Sequence, residues 1–231
     1  MTYYHLSGAI NGVLFTIALG GLISQLVAIR TRRGERSEAG GRPTAVLSLN
    51  YFSVSFLAYF AFFVYGFSIS PFNYYLVWPR LLGCMLVLAV LFEIARDRRE
   101  TLSTAVAAVA SALLSSGVVL LVSGSAVGAL ARRGPQLLSL LATVLIAQSL
   151  IHQIVLIRRA GHRGAVSWPL HFLTLTKDLS TVVFGLAMGL RLGWPLLAMG
   201  GASAGLKLVL LWHIRRSPSL LGARLGSRRA R

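Results

Sequence analysis

Seven apolar runs, each about twenty residues long, follow one another along this chain, at 6–29, 44–67, 74–95, 101–122, 135–157, 166–188 and 194–213. About twenty apolar residues is the length of helix that crosses a ~30 Å hydrocarbon core. A hydrophobic share of 55% and a mean hydropathy of +0.71 accompany the runs, and no stretch is left for a soluble domain. The expected fold is therefore all-α: a polytopic membrane protein with seven transmembrane helices. The start MTYYHLSG lacks a basic segment and the first run is longer than a signal-peptide core, so that run is expected to be a retained helix.

The formal net charge of +17 invites a nucleic-acid reading, but the arginines follow the membrane sides instead. With loops taken alternately from an outside N-terminus, 17 of the 21 arginines fall on the inner side, and Arg80, Arg132, Arg133 and Arg191 on the outer. The positive-inside rule then expects an integral protein of the plasma (inner) membrane, its N-terminus outside and its C-terminus cytoplasmic. The basic tail, 217–231, is read as a topology determinant in contact with anionic lipid headgroups, with no nucleic acid as partner. The lone Cys84 excludes an intramolecular disulfide.

The chain also repeats itself. Ile23-Ser24-Gln25-Leu26-Val27-Ala28-Ile29-Arg30 matches Ile151-His152-Gln153-Ile154-Val155-Leu156-Ile157-Arg158 at five of eight positions, and further on Tyr65-Gly66 answers Phe184-Gly185 and Trp78-Pro79 answers Trp194-Pro195. Three helices per repeat, both running the same way through the membrane, require an odd helix between them. The expected organisation is a 3+1+3 parallel repeat: a first three-helix bundle over 1–100, a linker helix and outer loop over 101–130, a second bundle over 131–216, then the tail. The linker is rich in alanine and serine, which suits close packing.

The repeated order of these features, with a glutamine near the end of the first helix of each half, a basic loop after it and an aromatic-Gly pair ending the second helix, resembles the SWEET and PQ-loop family of seven-helix transporters. The likeness covers about 14–216. It implies two bundles around a central pathway, a substrate near the midplane and access that alternates between the two faces. It also implies gating positions at Ser24 and Gln25, at His152 and Gln153, and at Pro169. Ser24 and His152 stand where the family carries proline, and Arg80 and Leu196 follow the third-helix prolines where its sugar carriers often have asparagine.

Only two lysines occur, Lys177 and Lys207, and both lie inside apolar runs, where an ammonium costs a few kcal/mol. Asp178 adjoins the first and is the only carboxylate away from the basic loops and their edges. Helical spacing places His171, Thr174, Asp178, Thr181 and Gly185 on one polar stripe. Lys177, Asp178, Lys207 and Thr174 are candidate substrate-binding residues, with Tyr59 and Phe62 as stacking candidates from the aromatic second helix. Asp178 and His171 are proton-coupling candidates. An Asp178–Lys207 pair has two readings, a binding centre or a permanent salt bridge that fixes packing. Arg80 is read as an interfacial anchor or an outer anion contact, and Glu93 and Asp97 as solvated partners of Arg96 and Arg98.

Gly201-Ala202-Ser203-Ala204-Gly205 fits a serine-hydrolase pattern, but that motif acts on a strand-to-helix elbow, so the pair of glycines is read as a place where another helix approaches closely. A retinal-type photoreceptor at Lys207 lacks a mid-membrane carboxylate in the third helix. No metal cluster, phosphate loop or nucleotide motif appears, so no enzyme, cofactor or metal is expected. The expected function is transport of a small polar solute, anionic, zwitterionic or sugar-like, with membrane lipids and the solute as partners and a homo-oligomer compatible with the fold. The alternative is a non-transporting receptor or assembly subunit of the same fold. Single cysteines placed at Arg32, Arg98, Arg159 and Arg224 should resist an impermeant maleimide added outside intact cells, while one at Arg191 reacts; labelling at any of the four would overturn the sidedness.

Overall fold

In the computed structural model, which describes residues 2–39, 44, 47–123, 129–160 and 168–216, seven helices account for nearly all of the described residues. They are α1 (Thr2–Ala39), α2 (Leu49–Ser68), α3 (Tyr74–Arg98), α4 (Thr101–Ser123), α5 (Ala129–Ala160), α6 (Trp168–Ala187) and α7 (Leu190–Arg216). Five helical segments, Thr2–Thr31, Leu49–Ser68, Tyr74–Arg98, Thr101–Ser123 and Leu190–Arg215, are long and apolar enough to cross a membrane. Helices suit such segments because each backbone N–H and C=O is satisfied inside its own segment, where lipid offers no partner. The chain is thus an all-α transmembrane protein. Arg42, Arg163 and the tail 217–231 lie outside the described residues.

The helix ends differ from the apolar runs for local reasons. α1 continues through Thr31-Arg32-Arg33 to Ala39, into what the sequence reads as a loop, because charge does not stop a helix and Arg, Glu and Ala are good helix formers. α2 begins at Leu49 rather than at residue 44, since Ser48 caps it by accepting from the N–H of Tyr51 at 3.2 Å. Asn73 caps α3 in the same way, and Arg99, in the left-handed conformation, closes its far end. Gly189, with φ +79°, makes the turn that ends α6 and starts α7 at Leu190.

The chain divides into two compact units, Phe15–Ala142 and Met1–Leu14 with Thr143–Arg231, and the divide falls inside α1 and α5. The first unit packs α2, α3 and α4 on one another around an aromatic-rich core that includes Phe52, Phe56, Phe60 and Phe63. α4 turns Ala107, Ala110, Leu114 and Gly117 inward, and its small side chains let Phe60 and Phe63 lie against Gly117. Glu93 pairs with Arg30 of α1 at 3.4 Å. Asp97 is not solvated as expected: it is buried and accepts from both the N–H and the hydroxyl of Thr44, at 3.0 and 2.6 Å. Arg98 donates to the carbonyls of Thr44 and Leu47, so the end of α3 ties down the approach to α2.

In the second unit α6 packs against α7, and Leu150 and Ile154 of α5 cluster with Leu210 and Ile214 of α7. The close approach does not use Gly201 and Gly205, as their spacing suggests, because a Cβ at either would meet nothing within 4 Å. It uses Gly193 and Gly200. A Cβ on Gly193 would overlap the carbonyl of Gly185, and one on Gly200 would lie 3.1 Å from the carbonyl of Asp178. Glycine pairs mark a close contact only on the face that another helix covers, and spacing alone does not name that face. Gly193→Ala should therefore destabilise the protein by roughly 1–3 kcal/mol in detergent melts, whereas Gly201→Ala should stay within ~0.5 kcal/mol. Equal melting temperatures for the two variants would contradict this packing.

Candidate functional site

The stripe of α7 that faces α6 reads Gly193, Gly200, Ser203 and Lys207. Its register follows from helix geometry: residues spaced by three, four or seven share a face. With no side chain at Gly200, α7 comes close enough for the next two residues on the stripe to reach the one carboxylate of α6. Lys207 Nζ lies 2.5 Å from Asp178 Oδ2, and Ser203 Oγ donates to the same oxygen at 2.6 Å. Lys177, one residue before Asp178 on α6, bends back to place its Nζ 2.7 Å from Oδ1. Asp178 is buried, its side chain 1% exposed, against 14% and 11% for Lys177 and Lys207.

One carboxylate is thus held between two ammonium groups, and the cluster carries a net positive charge when all three are ionised. Pairing is what makes these charges tolerable. An isolated buried charge costs far more than an imperfect pair, and each partner here removes part of the others' desolvation penalty.

A second polar layer lies one turn along α6. Asn11 of α1, fully buried, donates through Nδ2 to Ser180 Oγ at 3.0 Å and Thr181 Oγ1 at 2.8 Å. Both hydroxyls in turn donate to the carbonyl of Lys177, at 2.7 and 3.0 Å. This chain uses both hydrogens of the Asn11 amide and leaves its Oδ1 buried without a hydrogen-bond partner among the described residues. Buried acceptors are nearly always satisfied, so an open one beside a charged cluster is a feature with chemical consequence.

The structure brings Lys177, Asp178 and Lys207 together. His171, half-buried, stands two turns before Asp178 on the expected stripe, and Thr174 Oγ1 donates to the His171 carbonyl at 3.1 Å. Asp178, Thr181 and Gly185, further along that stripe, are buried. Tyr59 and Phe62 belong to the other unit, Phe15–Ala142. There Phe62 is core, 1% exposed, and Tyr59 lies edge-on to Phe15 at 5.3 Å and close over Gly83. Ser24 and His152 are exposed and Gln25 is half-buried, while the side chains of Gln153 and Pro169 lie outside the described residues.

Three residues gain importance that the sequence did not give them. Asn11 carries a usable signal, an asparagine inside the first apolar run, near its start. Ser203 carries another, since it precedes Lys207 by four residues and so shares its face. Arg80 is the correction: neither an interfacial anchor nor an exposed anion contact, it is 1% exposed, with its guanidinium carbon 4.0 Å from the centroid of the Phe15 ring. The aromatic face supplies the negative end of a quadrupole to the buried cation.

Among the described residues no group of three metal-ligating side chains comes together. No family model matches this chain, and a search of curated proteins finds no match either.

Asp178→Asn leaves two buried ammonium groups without their carboxylate and should cost about 3–5 kcal/mol, read as a fall in the detergent melting temperature. Adding Lys207→Met should recover most of that loss. A single Asp178→Asn variant as stable as the wild type would show that the cluster is not buried in the folded protein.

Proposed function

We propose that the chain is a membrane carrier that moves a small polar solute by alternating access, with two three-helix bundles joined by α4 in a SWEET-like 3+1+3 arrangement. The observation that carries this reading is the Asp178 cluster, in which a single buried carboxylate is shared by two lysines. A salt bridge that only fixes packing needs one cation. The second leaves excess positive charge in a low-dielectric setting, where it costs folding free energy and favours an incoming anion. The open Oδ1 of Asn11 adds an acceptor for a donor on the same solute. Together they favour an anionic or zwitterionic substrate, such as a hydroxy or amino acid, over a neutral sugar. Asp178 and His171 are the proton-coupling groups of this proposal, and the seven helices run from an outside N-terminus to a cytoplasmic C-terminus.

Local correspondences support the repeat. Pro79 lies five residues into α3 and Pro195 five residues into α7, each after a solvent- or lipid-exposed tryptophan. Gly66 of α2 and Gly185 of α6 each lie against the start of the next helix, the first at Leu76 and Val77, the second at Gly193 and Leu197. The repeat predicts that α1–α3 superpose on α5–α7 by rotation about the membrane normal.

Counterflow in proteoliposomes loaded with malate, alanine or glucose tests the function. The expected outcome is exchange of malate or alanine in preference to glucose, reduced at least tenfold by Lys207→Met. If Asp178 carries a coupling proton, Asp178→Asn abolishes pH-driven accumulation and keeps exchange. Full transport by Asp178→Asn with Lys207→Met would overturn the site. Saturable binding without flux would favour a receptor or assembly subunit over a carrier.

A further inference from the structure

A groove of about 330 Å³ lies between α2, α3 and α4, within the unit Phe15–Ala142. Its walls include Phe56 and Leu57 of α2, Leu91 of α3, and Ala105, Val109 and Leu113 of α4. Ser53 is the polar residue among them, and its hydroxyl donates to the carbonyl of Leu49 at 2.8 Å, so the groove presents essentially no hydrogen-bonding group. The small side chains of α4 create it: Ala105 and Val109 are exposed on this face, where larger residues would fill the gap.

The position of the groove in the helices identifies its occupant. Arg98 ends α3 and Thr101 starts α4, so at 1.5 Å per residue Leu91 lies ~10 Å, and Leu113 ~18 Å, from that end. The groove therefore spans the depth of roughly one leaflet of a ~30 Å core. At this depth there is no water to fill it, and an empty groove forfeits dispersion contacts along its whole lining. Arg98 follows Leu91 by seven residues, which sets it on that residue's face of α3, towards the mouth of the groove, and Arg99 is the cap that follows it. Arg99 is exposed, and Arg98 is held with its Nη2 on the carbonyls of Thr44 and Leu47, which fixes the position of its charge. Asp97 and Glu100 lie at the same end and offset part of this charge, leaving three arginines, Arg96, Arg98 and Arg99, to two carboxylates.

We infer that this groove binds one acyl chain of an anionic phospholipid from the leaflet on the Arg98–Arg99 side, with the headgroup phosphate held by Arg99 and Arg98. The chain fills the groove, but it gains little hydrophobic free energy by leaving the bilayer, because lipid tails are as apolar as the lining. Selection among lipids therefore rests on the headgroup. The site is independent of any solute carried by the α6–α7 unit.

Native mass spectrometry of the full-length protein in mild detergent, with phosphatidylglycerol and phosphatidylcholine of identical chains in competition, tests the inference. The wild type should retain phosphatidylglycerol about fivefold better or more, the factor that corresponds to ~1 kcal/mol for each basic side chain at an anionic surface. Arg99→Gln should bring the preference down toward unity without removing bound lipid. Val109→Trp, which fills the groove from its exposed wall, should remove the retained adduct of both lipids while elution and melting stay as in the wild type. If Val109→Trp does not fold, Ala105→Phe makes the same test from the mouth. Equal retention of the two lipids by the wild type, an unchanged preference in Arg99→Gln, or an unchanged phosphatidylglycerol adduct in a folded groove-filled variant would each overturn it.

Discussion

The charge balance around Asp178 constrains its unit more than any other single interaction. In a low-dielectric interior two ammonium groups and one carboxylate are tolerable only where they meet, and they meet only if α6 and α7 adopt one register. That register places Lys207 and Ser203 against Oδ2, with Gly200 a turn below, passing the carbonyl of Asp178. Sliding α7 by one turn would take Lys207 away from the one carboxylate of α6 and put a side-chain-bearing residue where Gly200 passes the Asp178 carbonyl. The electrostatic and steric requirements reinforce each other, and neither depends on a large net gain from the salt bridge itself.

The same cluster ties three helices together. The Asn11 amide joins α1 to α6 through Ser180 and Thr181, whose hydroxyls bond to the carbonyl of Lys177, next to the charged centre. A ligand that engaged either lysine or the open Asn11 oxygen would therefore act on groups that also hold α1, α6 and α7 together. In the carrier reading proposed above, coupling of this kind would give differential contact with a solute in two arrangements of the same helices.

The unit Phe15–Ala142 handles its charges by different means. Arg80 lies against the face of Phe15, an interaction worth roughly 2 kcal/mol when desolvated. Asp97 is buried on a backbone N–H and a hydroxyl at Thr44, where it anchors the segment leading into α2. Glu93 reaches across to Arg30 on α1. Arg98, at the end of α3, is held on the carbonyls of Thr44 and Leu47.

Apolar run length and the confinement of arginine to helix ends were enough to determine an all-α membrane chain, because bilayer thickness and the cost of unsatisfied backbone groups leave few alternatives for runs of about twenty residues. The rarity of lysine was enough to single out Lys177, Asp178 and Lys207, since a charge in an apolar run must find a partner. Other features depended on which face of each helix is covered, and a sequence period gives a face without saying what lies against it. Spacing therefore pointed to Gly201 and Gly205 where packing uses Gly193 and Gly200. It left Arg80 at a membrane edge where the ring of Phe15 makes burial tolerable. Only tertiary structure brought Asn11 to Thr181, 170 residues away, because a contact between distant helices depends on how their faces meet and not on any local pattern.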